Sequence, residues 1–133
     1  MSHPPPPKTR AYYALIPHLT DARVLLVEDE TGWAPPRWDT SEPNVFAGGP
    51  LARWIKDQWG AEATQLHVVQ AHIDPADQRW EWALIAMENH GSTGRPPPGA
   101  RWVDRAMLAT LPLAHPAHRP ALDAWLAERE SGV

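Results

Sequence analysis

One helix is marked by residues 49–61, which read GPLARWIKDQWGA. Gly49 can cap the start of a helix, and Pro50 suits its first position, where a missing N–H removes no helical hydrogen bond. Gly60 is a residue type that commonly ends helices. Apolar side chains recur every fourth residue and so share one face, at Leu51, Ile55 and Trp59. The stretch therefore predicts an amphipathic helix that packs one side against a core.

Strands are predicted before this helix. Residues 11–17 and 23–28 are apolar segments typical of strands. Residues 33–36 form a short extended piece, because their prolines exclude a helix. Residues 37–49 show no periodicity and carry turn-forming residues, so we expect a loop there.

After the helix, residues 64–73 and 79–88 are expected to pair as an antiparallel hairpin. The remaining predicted elements are a loop at 89–99, a strand at 101–103, a short helix capped by Asp104 that runs through Leu111, and a final helix at 118–130. This order predicts an α+β fold, a mixed sheet with helices on both faces.

The size and composition of the chain fit one domain. It has 133 residues, of which 43% are hydrophobic and 21% charged, and this balance is typical of a folded protein. Residues 1–10 are rich in proline and are expected to form a disordered tail, which leaves residues 11–130 as the domain. The absence of cysteine excludes disulfides, thiolate metal sites and a cysteine nucleophile.

The charge and hydropathy patterns argue against two classes of partner. The net charge is −4 and the sequence has no basic stripe, so nucleic acid is not an expected partner. No apolar run approaches the roughly 20 residues that span a bilayer, and residues 1–7 do not resemble a secretory signal. We therefore expect a cytoplasmic protein that does not bind membranes.

The order of elements and several motifs resemble the Nudix hydrolase family. Residues 53–61, RWIKDQWGA, stand where the family pattern reads R-E-U-x-E-E-x-G-U, in which U is aliphatic. Residues 23–27 (RVLLV) and 32–36 (GWAPP) resemble the entry strand and its turn, and residues 99–103 (GARWV) resemble a late strand. The resemblance implies a Nudix-like α/β/α sandwich over about residues 11–127.

The same motif departs from the family at the positions that hold metal. The resemblance implies that glutamates at helical spacing bind Mg²⁺, but this sequence has Trp54, Asp57 and Gln58 there, beside a retained Arg53. We therefore expect a catalytically degenerate domain, a pseudoenzyme that needs no cofactor and acts as a ligand-binding, regulatory or interaction module. The alternative is an active hydrolase of nucleoside diphosphate-linked substrates, in which Asp57 and a relocated carboxylate such as Glu81 or Glu88 hold Mg²⁺.

A second resemblance concerns a possible neighbour. Residues 33–38 (WAPPRW), 88–90 (ENH) and 113–119 (LAHPAHR) resemble a Nudix-like region that precedes aminoglycoside-phosphotransferase-type domains in some bacterial proteins. It implies that the chain is a fragment of a longer protein with an adjacent phosphotransferase-like domain. A structural or dimerising domain, including a homodimer, is therefore a further alternative.

The tryptophans suggest where a ligand would bind. Trp59, Trp102 and Trp125 fall on apolar stripes and are expected in the core, whereas Trp33, Trp38, Trp54, Trp80 and Trp82 are expected around the cleft that the resemblance implies. There, aromatic rings beside an arginine are suited to stacking a nucleotide-like ligand. The predicted ligand-binding residues are Arg37, Trp38, Trp80, Trp82 and Glu81. Strand alternation places Glu81 on the side opposite to its two tryptophan neighbours, and the histidines are interpreted as surface or loop residues.

Overall fold

The computed structural model describes residues 10–40, 50–76, 79–92 and 98–132, without the side chains of Asp74, Arg79, Trp80 and Ser92. The strands are β1 (Arg10–Leu15), β2 (Val24–Asp29), β3 (Gly32–Ala34), β4 (Arg37–Thr40), β5 (Ala61–Asp74), β6 (Arg79–Ser92) and β7 (Ala100–Val103). The helices are α1 (Pro50–Trp59), α2 (Arg105–Leu108) and α3 (Arg119–Glu130), with a 3₁₀ turn at Pro116–His118. None of the helices in this described part is long and apolar enough to cross a membrane. The predicted tail lies outside the described residues except for Arg10, the first residue of β1.

The described strands form two sheets. The larger sheet is mixed and has the order β4-β1-β6-β5, in which β1 runs parallel to β6 and antiparallel to β4. The smaller sheet has the order β3-β2-β7 and is antiparallel. Strand β1 is therefore an inner strand, which accounts for the burial of all six of its residues.

Alternation along β1 divides the core into two parts, one on each face of the larger sheet. Tyr13 and Leu15 belong to the part that includes Leu122, Trp125 and Leu126 of α3. Tyr12 and Ala14 belong to the other part, which includes Leu51 and Ile55 of α1. Because successive strand residues point to opposite faces, one strand contributes to both parts. This layering confirms the predicted α+β sandwich with helices on both faces.

The structure corrects the predicted loop at residues 37–49 in part. Residues 37–40 form β4, an antiparallel partner of β1 with Asp39 opposite Ala11 and Arg37 opposite Tyr13. The reason is tertiary, since the edge of β1 offers hydrogen bonds that no local periodicity reveals. Residues 41–49 lie outside the described residues.

Other boundaries also differ from the predictions; β5, for example, begins at Ala61 and not at residue 64. Strand β6 continues to Ser92 instead of ending before a loop, and its extension is fixed by Asn89, whose side chain donates to the carbonyl of Pro17 at 2.8 Å. Asp104 caps α2 as predicted, accepting a hydrogen bond from the Met107 amide at 2.8 Å, but α2 ends at Leu108 and not at Leu111.

The β5–β6 hairpin is long and irregular. Each strand has 14 residues, and the pairing register shifts four times. Leu66 and Val69 are extra residues on β5, and Glu81 and His90 are extra residues on β6. Such β-bulges bend the strand and redirect side chains.

Candidate functional site

A cleft lies over the larger sheet at the start of β1. Its centre is a row of directly opposed residues that crosses all four strands, namely Asp39, Ala11, Trp82 and His72. Ala11 is the small member of the row, so a trough opens between Asp39 and Trp82. The cleft has a volume of about 340 Å³ and is lined by Ala11, Tyr13, Arg37, Asp39, Glu81, Trp82, His115, Ala117 and His118.

The histidine side of the cleft is held at both ends. The Trp33 amide donates to the carbonyl of Pro112 and the Ala114 amide to the carbonyl of Trp33, both at 2.9 Å, which fixes the chain just before His115. After His118, the guanidinium of Arg119 donates to the carbonyls of Leu108 and Leu111, at the end of α2. The two histidines are therefore positioned by backbone contacts on either side of them.

Tyr13 is the centre of a hydrogen-bond chain on the cleft wall. Nη1 of Arg37 donates to the Tyr13 hydroxyl at 3.3 Å, and Nε of Arg37 donates to Asp39 at 2.9 Å. Because the hydroxyl accepts from Arg37, its hydrogen is assigned to Nε2 of His115, 3.0 Å away. Burial raises the pKa of Tyr13 above its usual value, which keeps this donor protonated.

The floor of the cleft is aromatic. The ring of His118 lies 4.7 Å from that of Tyr13 and 4.9 Å from those of Trp82 and His115. The side chain of His118 is buried, and this burial, with a smaller contribution from His115, lowers its pKa from 6.5 to about 4. His118 is therefore neutral at pH 7 and belongs to the aromatic floor.

Glu81 lies in the cleft because of a β-bulge. Trp82 is opposite His72 and Trp80 is opposite Ile73, so Glu81 is the extra residue between two paired positions. Its side chain lines the same cleft as Trp82, contrary to the prediction from simple alternation. The prediction failed because the bulge depends on cross-strand pairing, which the local sequence does not show.

His72 supports Trp82 from the neighbouring strand. The two rings are nearly parallel, 8° apart, with centroids separated by 5.9 Å. Nε2 of His72 also lies 3.5 Å from a carboxylate oxygen of Glu81. Since β5 and β1 flank β6 on opposite sides, His72 packs on Trp82 from the side away from the cleft. His72 thereby helps to fix the position of the Trp82 ring, which forms a wall of the cleft, and that of the Glu81 carboxylate.

The cleft brings together three of the five predicted ligand-binding residues, Arg37, Glu81 and Trp82. Trp38 lies with the other part of the core, where its ring stacks on that of Trp54 at 6.5 Å. The side chain of Trp80 lies outside the described part of the structure.

The core tryptophans are distributed differently from the prediction. Trp33, expected at the cleft, is part of β3 and is buried in the core. Trp125 is buried as predicted, whereas Trp59 and Trp102 are only half-buried. The burial of Trp33 reflects its bridge to Leu113, a residue 80 positions away in the sequence.

Four cleft residues with polar side chains were not predicted as ligand-binding residues, namely Tyr13, Asp39, His115 and His118. The spacing of His115 and His118 around Pro116 was visible, but they were interpreted as surface or loop residues. Tyr13 stood inside an apolar strand with no sign that its hydroxyl reaches a cleft. For Tyr13 and Asp39, the missing information was the pairing of β4 with β1. For the two histidines, it was the contact of residues 112–114 with Trp33.

The face of α1 that would hold a metal ion does not have the required donors. Asp57 and Gln58 are exposed on α1, and the half-buried indole of Trp54 packs against Trp38. One carboxylate and one amide are a poor set for Mg²⁺, which prefers several hard oxygen ligands. Within residues 10–40, 50–76, 79–92 and 98–132, no three histidine, aspartate or glutamate side chains are grouped as metal ligands. The residues at this position therefore do not fit the metal.

Comparisons with known proteins identify the fold. No protein-family model matches the chain, and no curated protein matches it significantly. Among solved structures, it is similar to a NUDIX hydrolase from Nitrosomonas europaea, with a TM-score of 0.67 and 16% identity, over 98% of this chain and 76% of that one. It is also similar to a MutT structure described for Aliivibrio salmonicida and Vibrio cholerae, with a TM-score of 0.64 and 16% identity, over 90% and 98% of the two chains.

A third similar structure is longer than this chain. It belongs to a Sinorhizobium meliloti protein, with a TM-score of 0.69 and 18% identity, over 92% of this chain. This chain spans only 40% of the length of that protein. The similarities to the NUDIX hydrolase and to the MutT structure show that the chain has a Nudix-like fold.

Proposed function

We propose that this chain is a non-catalytic binding domain whose cleft takes a small molecule with a planar ring. The observation that carries the proposal is the cleft itself, about 340 Å³ in volume with an aromatic floor and polar groups on its wall. Sites for small molecules have volumes of about 300 to 1,000 Å³ and combine apolar walls with a few placed polar groups.

The composition of α1 supports the non-catalytic part of the proposal. Metal-dependent hydrolysis of a diphosphate needs carboxylates that hold the ion against the phosphates. Asp57 is the one carboxylate among the three relevant positions, and the Trp54 indole occupies another. The contact of Trp54 with Trp38 indicates that this helix packs against the sheet.

The shape of the cleft supports a planar ligand. Ala11 leaves a trough next to Trp82. The His72 ring packs parallel to the Trp82 ring on the side away from the cleft. A flat ring placed over Ala11 would contact the indole, an arrangement that aromatic groups favour. A nucleotide-like compound supplies such a ring through its base.

The experiment fills the trough and leaves the polar groups intact. Ala11→Leu adds three carbons at the centre of the cleft, so it should abolish ligand binding. A panel of nucleotides, nucleosides and small aromatic compounds is screened by thermal shift with each protein. A specific ligand at a hundred times its dissociation constant should stabilise the wild type by about 2.7 kcal/mol, and the variant should show no shift.

Ala124→Leu is the matched control, because Ala124 is exposed on α3 and does not line the cleft. It should respond to the ligand like the wild type. If no compound shifts the wild type, or if Ala11→Leu responds fully, the cleft is not a binding site. The same panel is incubated with Mg²⁺ and Mn²⁺, and we expect no release of phosphate or nucleotide.

An active hydrolase is the second candidate function. It is favoured by one observation, that the carboxylates of Asp39 and Glu81 both line the cleft. Relocated ligands of this kind would bind the metal away from α1. Metal-dependent turnover that is lost in Glu81→Gln would establish this candidate and overturn the non-catalytic one.

A further inference from the structure

The charges around the cleft are unequal. Asp39 and Glu81 line it, and Arg37 carries the one permanent positive charge among the lining residues that the structure describes. Asp29, on β2, also acts on Tyr13 and His115 through its charge. Hydrogen bonds from Thr31 lower the pKa of Asp29, so it is ionised at pH 7. Two carboxylates therefore line the cleft, and a third acts on two of its residues, against one guanidinium.

Arg37 is already engaged with groups of the protein. Its Nε donates to Asp39, its Nη1 donates to the Tyr13 hydroxyl, and its central carbon lies 5.7 Å from the centre of the Tyr13 ring. These contacts neutralise Asp39 and turn two of the donor groups away from a ligand. An anionic ligand would have to compete with them for Arg37.

The negative charge of Glu81 is less fully balanced by a neighbouring positive charge than that of Asp39. Its ion-pair partner in the described part of the chain is His72, 3.5 Å away, which adds a full charge only when it is protonated. His118 is neutral at pH 7. Among the cleft-lining residues that the structure describes, the carboxylate of Glu81 therefore has weaker compensation than that of Asp39, and it attracts positive charge.

The aromatic walls favour positive charge as well. The faces of tryptophan and tyrosine rings carry a negative quadrupole and bind cations within about 6 Å. Arg37 over Tyr13 is an example of this interaction inside the cleft. Trp82, the best ring type for such a contact, stands beside Glu81 in sequence and lines the same space.

We propose that the ligand of this cleft is a small flat cation, such as an amidinium, a guanidinium or a protonated amino-heterocycle. Its positive group lies at Glu81, and its flat face lies against Trp82. This inference rests on the proposed function and narrows it, because it disfavours nucleoside diphosphates, whose phosphates would face Glu81 and would have to compete with Asp39 and Tyr13 for Arg37.

The test uses three probes of nearly the same shape and different charge. Benzamidine is a flat cation, benzamide its neutral counterpart and benzoate its anionic one. Each is titrated into the isotope-labelled full chain and followed by NMR, which measures millimolar dissociation constants. The backbone amides of Ala11, Tyr13 and Trp82 report binding in the cleft. Benzamidine should bind at least tenfold more tightly than benzamide, and benzoate should bind most weakly.

Glu81→Gln tests the position of the charge. It should weaken benzamidine about tenfold and leave benzamide unchanged, since glutamine keeps the size of the side chain and removes only its charge. Glu62→Gln is the matched control, because Glu62 lies about 30 Å away along β5 at 3.3 Å per residue and forms its ion pair with Lys56. It should leave all three dissociation constants unchanged.

Each of the following outcomes would overturn the inference. They also show whether the inference fails alone or together with the proposed function. If benzamide or benzoate binds as tightly as benzamidine, or if Glu81→Gln does not affect benzamidine, the ligand is not selected by charge. If none of the three probes shifts the cleft amides but a nucleotide does, the inference is wrong and the proposed function stands. If nothing in either panel shifts them, both are wrong.

Discussion

Gly32 shows most directly how one residue is fixed by its surroundings. Its φ angle is 132°, which non-glycine residues avoid, and a Cβ there would lie 2.6 Å from the carbonyl oxygen of Pro112 and 2.9 Å from the amide nitrogen of Ala114. Both neighbours are backbone atoms, held by the two hydrogen bonds that join this segment to Trp33. The close approach therefore cannot be relieved by a side-chain rotation.

Gly32→Ala should destabilise the protein through both strain and overlap. Backbone strain of this type costs about 1 to 3 kcal/mol, and displacement of residues 112–114 adds to it. Urea unfolding measures the free energy. Gly91→Ala is a close control, because Gly91 has a φ of 138° and a Cβ added there would meet nothing within 4 Å. The overlap argument fails if the two variants lose the same free energy.

The residues of the cleft were only partly visible in the sequence. Arg37, Glu81 and Trp82 were predicted from residue type and from the position of the expected cleft. Tyr13 and His118 were not predicted, because both are almost fully buried. Their contacts are with residues far away in the sequence, Arg37 for Tyr13 and Trp82 for His118. Residue type suggests which groups bind a ligand, but only cross-strand pairing shows which groups meet.

At the scale of elements, the stack of Trp38 on Trp54 joins β4 to α1. The rings are 6.5 Å apart and inclined by 25°, and the Tyr12 ring lies 6.2 Å from Trp38. Both tryptophans pack against the part of the core that contains Leu51 and Ile55. The indole at the position expected for a metal ligand therefore holds the helix to the sheet.

A double-mutant cycle should measure this contact. Trp38→Leu, Trp54→Leu and the double variant are unfolded in urea, and the coupling free energy should be about 1 kcal/mol, the usual range for aromatic pairs. Trp38→Leu combined with Trp125→Leu is the control cycle, because Trp125 lies in the part of the core on the other face of the sheet. A coupling near zero in the first cycle would mean that the stack does not join the two elements.

The elements themselves were predicted to different degrees. The ends of α1 agree with the structure because proline and glycine mark them locally. Strand β4 was missed because its short sequence has no periodicity of its own, and the end of β6 was misplaced because Asn89 is fixed by Pro17, 72 positions away. Boundaries that are marked by residues within the element were predicted correctly. Boundaries that depend on contacts with another element were not.

At the scale of the whole molecule, His118 links the stability of the fold to pH. Its pKa is about 4 in the folded chain and 6.5 as the unperturbed value. Between these values the unfolded chain takes up a proton that the folded chain does not. The unfolding free energy therefore falls as the pH is lowered from about 6.5 to 4, and this contribution is fully present above pH 6.5.

His118→Phe should remove that dependence, since phenylalanine keeps a flat ring and does not titrate. At about 1.4 kcal/mol per pKa unit, the wild type should lose on the order of 3 kcal/mol more than the variant between pH 7 and pH 4. Urea unfolding at several pH values measures the difference, and the carboxylates cancel because both proteins contain them. An NMR titration of wild-type His118 checks the pKa independently. Parallel pH profiles, or a pKa near 6.5, would contradict the prediction.

The bulges of β5 have a consequence for the behaviour of the protein at high concentration. Strand β5 is one of the two outer described strands of its sheet, and its edge would be a template for fibril growth if it were straight. Leu66 and Val69 interrupt it, so that the runs without an extra residue, 61–65 and 70–74, are five residues long. Amyloid-type stacking requires segments of about six or seven residues. The irregularity that sets the hairpin register therefore also protects the chain from assembling into fibrils along this edge.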